Sequence, residues 1–563
     1  MLCQPNKWSD TEYGGFLENQ YTKNSIITGS FNQKHTMENK DSFFKAVNTL
    51  NSNKFIINTL LLNFLDNEGF YILLQFFKNL KDKTDKTQVK VTLKIAKILA
   101  QFNHPLYINH SGDWRGRIYT NSFYLSYQGG ELANSLLNLF EGMELSEKGK
   151  EYLYIYGANC YNENNLSKKS FDDRYKWVKS NLDKIINLDK KFILKAKNLL
   201  LFTSFCLIMR ELDKDPNYKI HMPIFLDATC SGIQHIAALI KDFESGKKVN
   251  LIPQKKSDTV GDIYSDLLEP VNQAINLHGE INEDCSEFTK IKLSRDNIKQ
   301  PIMTKVYNVS TVGIADQLRN SFEKFVNKDK TIHYLVPSVN GFIKLNYREI
   351  FTLAEIINAQ IFKSLPSLKA LYVYLKEIVN ICLKCNIPII WFTPTGLKIN
   401  QMYMQSIQHK VSISYIGKSR TIVLREMLDK VDSRKQINAI IPNIIHSLDA
   451  AHLMQIVNRG IPNMKYPYIL TVHDCFGAHP NNINELKDLV TTEFIQLYTN
   501  EDFLKKFHDR ILQNLKDNSI TIWCNNQGQK YIKVKSKKFY IPDLPKPGEL
   551  IYKNIVFSKY FIN

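Results

Sequence analysis

Met222-Pro223-Ile224-Phe225-Leu226 is a short apolar run that ends on Asp227, and Ala228-Thr229-Cys230-Ser231-Gly232-Ile233-Gln234-His235 follows it. It reads as a buried strand that delivers a carboxylate at its end, ahead of a helix from about Ser231 to Ile240. A second strand-like run, Tyr466 to Val472, also ends at a carboxylate, in His473-Asp474. Either aspartate alone would be an ordinary strand-end or capping residue. Together, on adjacent strands, they could hold the pair of Mg²⁺ ions, roughly 3.5–4 Å apart, that phosphoryl transfer uses.

Between them lies Arg295-Asp296-Asn297-Ile298-Lys299-Gln300-Pro301-Ile302-Met303-Thr304-Lys305-Val306-Tyr307. Arg295, Lys299, Met303 and Tyr307 stand four apart, so a helix would align them in one slowly rotating stripe. Two cations one turn apart suit a triphosphate, and the aromatic ring could sit against a base or sugar. Pro301 is the awkward residue, because a proline inside a helix removes a hydrogen bond and can kink it. Standing alone, the segment would read as a solvated basic face with a packed tyrosine.

Composition narrows the classes. The chain has 563 residues, 44% hydrophobic and 23% charged, which is globular composition with ample material for buried cores. Lys plus Arg is 73 against 55 for Asp plus Glu, a net charge of +18. That excess favours a polyanion, although the Lys, Asn, Ile, Phe and Tyr usage is also what an AT-rich genome would encode. No apolar run approaches the roughly 18 residues needed to cross a bilayer. Met1-Leu2-Cys3-Gln4-Pro5-Asn6-Lys7-Trp8 reads as neither a signal nor a transit peptide. The nine cysteines are scattered, and the lone pair Cys382 and Cys385 reads as two thiols on one face of an apolar helix.

No internal repeat is evident. Residues 1–36 read as irregular. Ser42 to Phe102 reads as helical, with Phe55, Ile56, Leu60, Leu61 and Phe64 at helical spacing. Short β-like pieces follow over 104–145, then helices over 146–215 and mostly helix over 258–330. Val411–Gly417 and Thr421–Arg425 flank polar residues and make a hairpin candidate.

Taken in order, these segments resemble the single-subunit, bacteriophage T7-like RNA polymerases, a family that includes mitochondrial enzymes. The likeness runs through Asp113-Trp114-Arg115-Gly116-Arg117-Ile118-Tyr119, Gly157-Ala158-Asn159-Cys160, the Asp227–His235 segment (motif A) and the Arg295–Tyr307 stripe (motif B). It continues through Asn443-Ile444-Ile445-His446-Ser447-Leu448-Asp449 and His473-Asp474-Cys475-Phe476-Gly477 (motif C). The resemblance implies roles. Asp227 and Asp474 would bind two catalytic Mg²⁺ ions, with the Ala228 backbone as a further ligand. Arg295 and Lys299 would contact the triphosphate. Tyr307 would close the nucleotide site and help select ribose, with His446 and Gly232 serving the 2′-hydroxyl and Tyr264 lining the same pocket. Arg117, with Arg115 beside it, would contact nucleic acid. His235 and His452 could be satisfied core or polar contacts, His473 could orient its loop rather than transfer a proton, and Cys230 and Cys475 could be small core residues.

The implied fold is α+β, mostly helical: a right-handed polymerase with thumb, palm and fingers and an antiparallel palm sheet. An irregular segment, 1–39, would precede the thumb, 40–103. The palm would combine 104–240 with 446–563, and the fingers would be 241–445, with a promoter-specificity hairpin near 411–425. The expected reaction is DNA-directed RNA synthesis from NTPs by a two-metal mechanism. The expected partners are a DNA template, nascent RNA and NTPs, with no membrane. A monomer is expected, in a mitochondrion, encoded by the organelle or a plasmid. Asn308 stands where most of the family has Gly, which brings the chain nearer to the polymerases of mitochondrial linear plasmids. By this resemblance the family's N-terminal domain is expected to be lacking here, the chain being either a fragment or the product of a truncated reading frame. The expectation is therefore primer extension with poor unaided initiation, an accessory factor or a separate chain supplying the rest. Two rivals remain: a family A-like DNA polymerase and a catalytically impaired nucleic-acid-binding remnant.

Overall fold

The computed structural model describes residues 1–9, 14–16, 26–28, 34–80, 82–253, 260–415, 418–460 and 468–563. It is a mixed α/β structure in which helices dominate and the described strands form small sheets of two or three.

The first strand-end reading holds. Ile224–Asp227 is a strand with Ile224 and Leu226 buried, and Ser231–Leu239 is the helix that follows. Leu470–Val472 is the second strand, and residues 461–467, where that run was expected to start, lie outside the described residues. Cys475–Ala478 lies between the two, antiparallel to both. Gly477 has to be glycine there, since a Cβ would sit 2.6 Å from the Phe225 ring on the neighbouring strand. The chain's last residues extend this layer. Ile562 bridges to Ala228, and the backbone of Asn563 exchanges hydrogen bonds with Asp227 at 2.9 and 3.2 Å.

Helices cover the sheet. Glu147–Tyr161 packs on Leu199–Lys214, where a Cβ at Gly157 would meet the Phe205 ring at 2.4 Å. The small residue therefore lets the two helices approach. Ser433–Arg459 is the longest helix, at 27 residues, and most of its middle is buried. Arg295–Lys305 is helical through Pro301, with a capping box between Ser294 and Asn297. It stops before Tyr307, so the four-residue stripe ends on a turn rather than on a helix. Asn308 takes up positive φ (62°) just beyond and donates from Nδ2 to the Asn438 carbonyl.

One expectation fails. Phe55–Ile57 is a strand paired with Leu137–Leu139, not the opening turn of a helix. Its apolar residues satisfy helical spacing equally well, but a partner strand some eighty residues away takes up its backbone groups. Asn58 then caps the helix Thr59–Asp66 from its side chain. The hairpin is present and longer than expected: Met404–Tyr415 pairs antiparallel with Lys418–Val431. Its turn, including Gly417, lies outside the described residues.

Candidate active site

The sheet register decides where the two carboxylates go. Asp227 pairs with Cys475, and Asp474 precedes Cys475, so both stand at one end of the sheet. Val472 and Cys475 are the closing pair of a hairpin whose two-residue turn is His473-Asp474. His473 holds φ +58°, a conformation that costs a non-glycine residue energy and that the pairing on both sides imposes. The carboxyl groups meet at the shared wall of two cavities of about 500 and 570 Å³. Enclosure by protein raises both above the usual carboxylate range, and the neighbouring Asp474 charge adds to the effect at Asp227. Asp227 is open to water from the cavity, which moderates the shift.

Asp227 is raised by burial and then by the charge of Asp474, and Asp474 by burial and then by that of Asp449, so this concentration of negative charge favours a cation. Among the described residues neither carboxylate has a Lys or Arg ion-pair partner, and the neighbouring ligand candidate, Ala228, offers a carbonyl. An all-oxygen set of this kind suits a hard divalent ion, so the residues fit the metal chemistry the sequence suggested.

Across the cavity of about 500 Å³ stand the cations of the Arg295 helix. Arg295 is fixed by Asp262, which accepts from Nε at 2.6 Å and from NH2 at 3.0 Å. Burial would raise Asp262, but the guanidinium outweighs it and holds the carboxyl low. The Tyr264 ring carries both cations, 5.3 Å from the Arg295 guanidinium and 5.9 Å from the Lys299 ammonium. Lys299 itself is exposed to the cavity. A third cation, Lys168, lines both cavities; burial lowers it, and the charges of Asp262 and Asp227 offset that only in part. Sequence reading missed Asp262, though it lies beside Tyr264, and missed Lys168, which follows a turn with no periodic signal.

The far wall is built from the Asp113–Tyr119 segment and the Ser433–Arg459 helix. Gly116, at φ +95°, lets the chain reverse, and Asp113 Oδ1 accepts from the backbone of Arg115 and Arg117. The two arginines thereby point at the helix. Arg117 pairs with Asp449 at 2.7 Å. Burial would raise Asp449, yet Arg117 overcomes it and keeps the carboxyl ionised. Arg115 pairs with Asp113 and donates from NH1 to His446 Nδ1 at 2.6 Å. Burial and both arginine charges push His446 down to about 2, so the ring is neutral. With Nδ1 accepting, the ring proton sits on Nε2. The His446 ring lies 5.0 Å from that of Tyr307. Both arginines expected to bind nucleic acid are thus engaged within the protein first, though Arg117 still lines the cavity.

Gly232 lies under Tyr307. A Cβ there would meet Val306 Cγ1 at 2.6 Å and Tyr307 Oη at 3.2 Å. The atoms it would crowd first belong to this wall. Of the remaining candidates, His235 and His452 take the plainer reading, whereas Cys230 and Cys475 are half-buried on the cavity walls and His473 keeps a buried Nδ1 with no hydrogen-bond partner among the described residues. His235 bonds Tyr498 at 2.6 Å and His452 bonds the Val490 carbonyl at 2.9 Å, both inside the core. Burial pushes the Cys230 thiol up to about 11 and raises Cys475 well above the ordinary thiol range, which leaves neither as a thiolate.

Residues 143–563 match the family described as DNA-dependent RNA polymerase. The chain belongs to that family. Over its whole length it is 45% identical to a protein named "Probable DNA-directed RNA polymerase" from Gelasinospora sp. (strain G114), covering 68% of that relative. A protein of the same name from Neurospora crassa is 30% identical, again with the whole chain covering 68%. T7 RNA polymerase of Escherichia phage T7 is 26% identical over 85% of this chain and 56% of its own length. The family reading of the chain therefore holds, and with it the enzyme class, DNA-directed RNA polymerase. The 143–563 match takes in Asp227, Asp474, Lys168, the Arg295–Lys305 helix and the His446 helix, whereas the Arg115–Arg117 turn lies ahead of it.

Proposed function

We propose that the Asp227–Asp474 cavity is the nucleotidyl-transfer centre, where an RNA 3′-hydroxyl attacks the α-phosphate of an incoming NTP. The observation that carries this reading is one arrangement: two carboxylates at adjacent strand ends face three cations across a cavity of about 500 Å³, with Tyr307 and neutral His446 on its wall. Asp227, Asp474 and the Ala228 carbonyl would hold two Mg²⁺ ions, which when bound lower the charge barrier between hydroxyl, phosphate and leaving group. Lys299 and Lys168, both on the cavity wall, neutralise the triphosphate. Arg295, preorganised by Asp262, presents its remaining donors in a fixed plane. Tyr307 stacks on the incoming nucleotide. His446 keeps its Nε2 proton for an oxygen acceptor, either the Tyr307 hydroxyl or the ribose 2′-hydroxyl. A site that hydrogen-bonds a hydroxyl discriminates strongly against the substrate that lacks it.

In this reading the three-stranded sheet of Ile224–Asp227, Leu470–Val472 and Cys475–Ala478 is the palm core, within 104–240 and 446–563. Residues 40–103 form the thumb and 241–445 the fingers, with the 404–431 hairpin as a promoter-facing loop. Arg117 and the basic excess hold template and hybrid backbones, so binding weakens steeply with salt. A mitochondrial setting is supported by relatives such as the mitochondrial DNA-directed RNA polymerase of Schizosaccharomyces pombe, 28% identical over 84% of this chain.

Primer extension on a DNA template with an RNA primer tests the proposal. NTP-dependent extension is expected with Mg²⁺ and none after Asp474→Asn. A strong preference for dNTPs would overturn the ribonucleotide assignment. Tight scaffold binding without extension would point to the impaired remnant.

A further inference from the structure

Residues 522–540 form a small sheet whose chemistry the nucleotidyl-transfer reading does not use. Ile522–Cys524, Lys530–Val534 and Lys537–Tyr540 pair antiparallel in that order. The register puts Trp523 opposite Tyr531, and Tyr531 opposite Tyr540, so three aromatic rings form one row across the sheet. Lys533 and Lys538, directly opposite each other, lie on the same face two positions along. Ile532 and Phe539, of the other parity, turn inward to the core. The outer rings of this face are open to solvent, Trp523 at 45% and Tyr540 at 52%, while Tyr531 between them is buried.

Three features set this face apart from an ordinary solvated lysine surface. No Asp or Glu occurs between Asp517 and Asp543, while five lysines fall within 530–538. Among the described residues none of the five is in an ion pair. The like-charged pair Lys533–Lys538 faces itself across the strands, an arrangement that destabilises a sheet. Each cation instead lies over a ring of the row, Lys533 4.8 Å from Trp523 and Lys538 5.2 Å from Tyr531. Finally, the turn between the last two strands is Lys535-Ser536, both at positive φ (47° and 64°), where Asn-Gly would be relaxed. The tip thus carries a fourth and fifth cation, Lys535 and Lys537, at some cost to the turn.

Two exposed rings, Trp523 and Tyr540, set on either side of the buried Tyr531 and beside lysines in no ion pair among the described residues, are the chemistry that recognises single-stranded nucleic acid: bases stack on the rings and phosphates meet the ammonium groups. We propose that this outer face binds the RNA strand after it leaves the catalytic cavity, an inference that rests on the RNA-polymerase reading. Of the strands such an enzyme handles, the two DNA strands can pair again with each other beyond the hybrid. The product stays single-stranded, with its bases free to stack.

The test uses the full chain on a DNA template with RNA primers carrying either no 5′ tail or a long one, and reads dissociation of the stalled complex. The tail is expected to slow dissociation of the parent by about fivefold or more for each stacked base. Trp523→Ala with Tyr540→Ala is expected to abolish that gain while extension on the tailless primer is unchanged. Lys533→Ala with Lys538→Ala should reduce the slope of log affinity against log salt for the tail by about 1.4. No tail effect in the parent, or one that survives both double variants, overturns the proposal. So does a gain obtained only when the tail is single-stranded DNA. Failure of the parent to extend even the tailless primer would instead refute the polymerase reading beneath it.

Discussion

Replacing Gly232 with alanine probes the packing beneath Tyr307. The added Cβ would sit 2.6 Å from Val306 Cγ1, where apolar carbons rest at about 3.5–4.0 Å. Val306 is fully buried and has nowhere to go, so the end of the Arg295 helix must shift by roughly 1 Å. Overpacking of this kind costs about 1–3 kcal/mol. The functional loss should be larger than that suggests, because Tyr307 moves with Val306 and a misplacement of about 1 Å can cost on the order of a hundredfold in rate. We expect kcat/KM for NTP incorporation to fall by about ten- to a hundredfold in Gly232→Ala. Val306→Ala removes the atom that clashes and by itself forfeits about 1.6 kcal/mol of burial, with little effect on incorporation. The double variant should therefore recover at least about tenfold over Gly232→Ala, a coupling of about 1.4 kcal/mol between contacting residues. Single-nucleotide extension, run with NTP and with dNTP, reads all four proteins. If the double variant is no better than Gly232→Ala, Val306 is not what requires the glycine, and crowding of the sugar becomes the better account.

Three further outcomes follow from the geometry. His446→Gln should reduce ribose-over-deoxyribose preference by about tenfold, the worth of one hydrogen bond to a polar group. In the parent this preference should be flat from pH 6 to 8, because the ring stays neutral down to about 2; a step near pH 6.5 would contradict that. Asp262→Asn removes the charge that fixes Arg295 and should raise KM for NTP by about tenfold with a much smaller change in kcat, read by steady-state extension. Lys487 is pushed down to about 7 by burial first and then by Lys559, Arg174 and Lys148, against a weaker opposing effect of Asp488. The folded state therefore bears the full cost of its charge below pH 7, and stability should rise as pH goes from about 7 to about 10.5. Lys487→Met should stabilise the protein at and below neutrality, with the gain fading toward pH 10.5; a gain that is the same at every pH would refute the assignment.

Local chemistry was legible where it repeats or punctuates. The apolar run before Asp227 and the four-residue spacing of Arg295, Lys299 and Met303 each constrain a few neighbouring residues, and the structure follows them, whereas Lys418, Ser419 and Arg420, which read as part of the hairpin turn, belong to its second strand. Phe55–Ile57 was misread because three apolar residues fit either period, and the deciding partner is Leu137–Leu139. Pro301 looked like a helix breaker, yet the helix runs through it with its cap at Ser294.

The sequence by itself determined which chemical groups this chain owns and in what order: two strand-end aspartates, a basic helix, an arginine-rich turn and a histidine on a long helix. Only the tertiary structure decided which charges remain free to act. Arg117 meets Asp449 across 332 positions, Arg115 meets His446 across 331, and Arg295 meets Asp262 across 33. Counter-ions are chosen by distance in space, and chain spacing carries no record of it. That is why His446 is neutral, why Arg295 is held in one plane, and why the carboxylates of Asp227 and Asp474, left without such partners, are the groups poised for a cation.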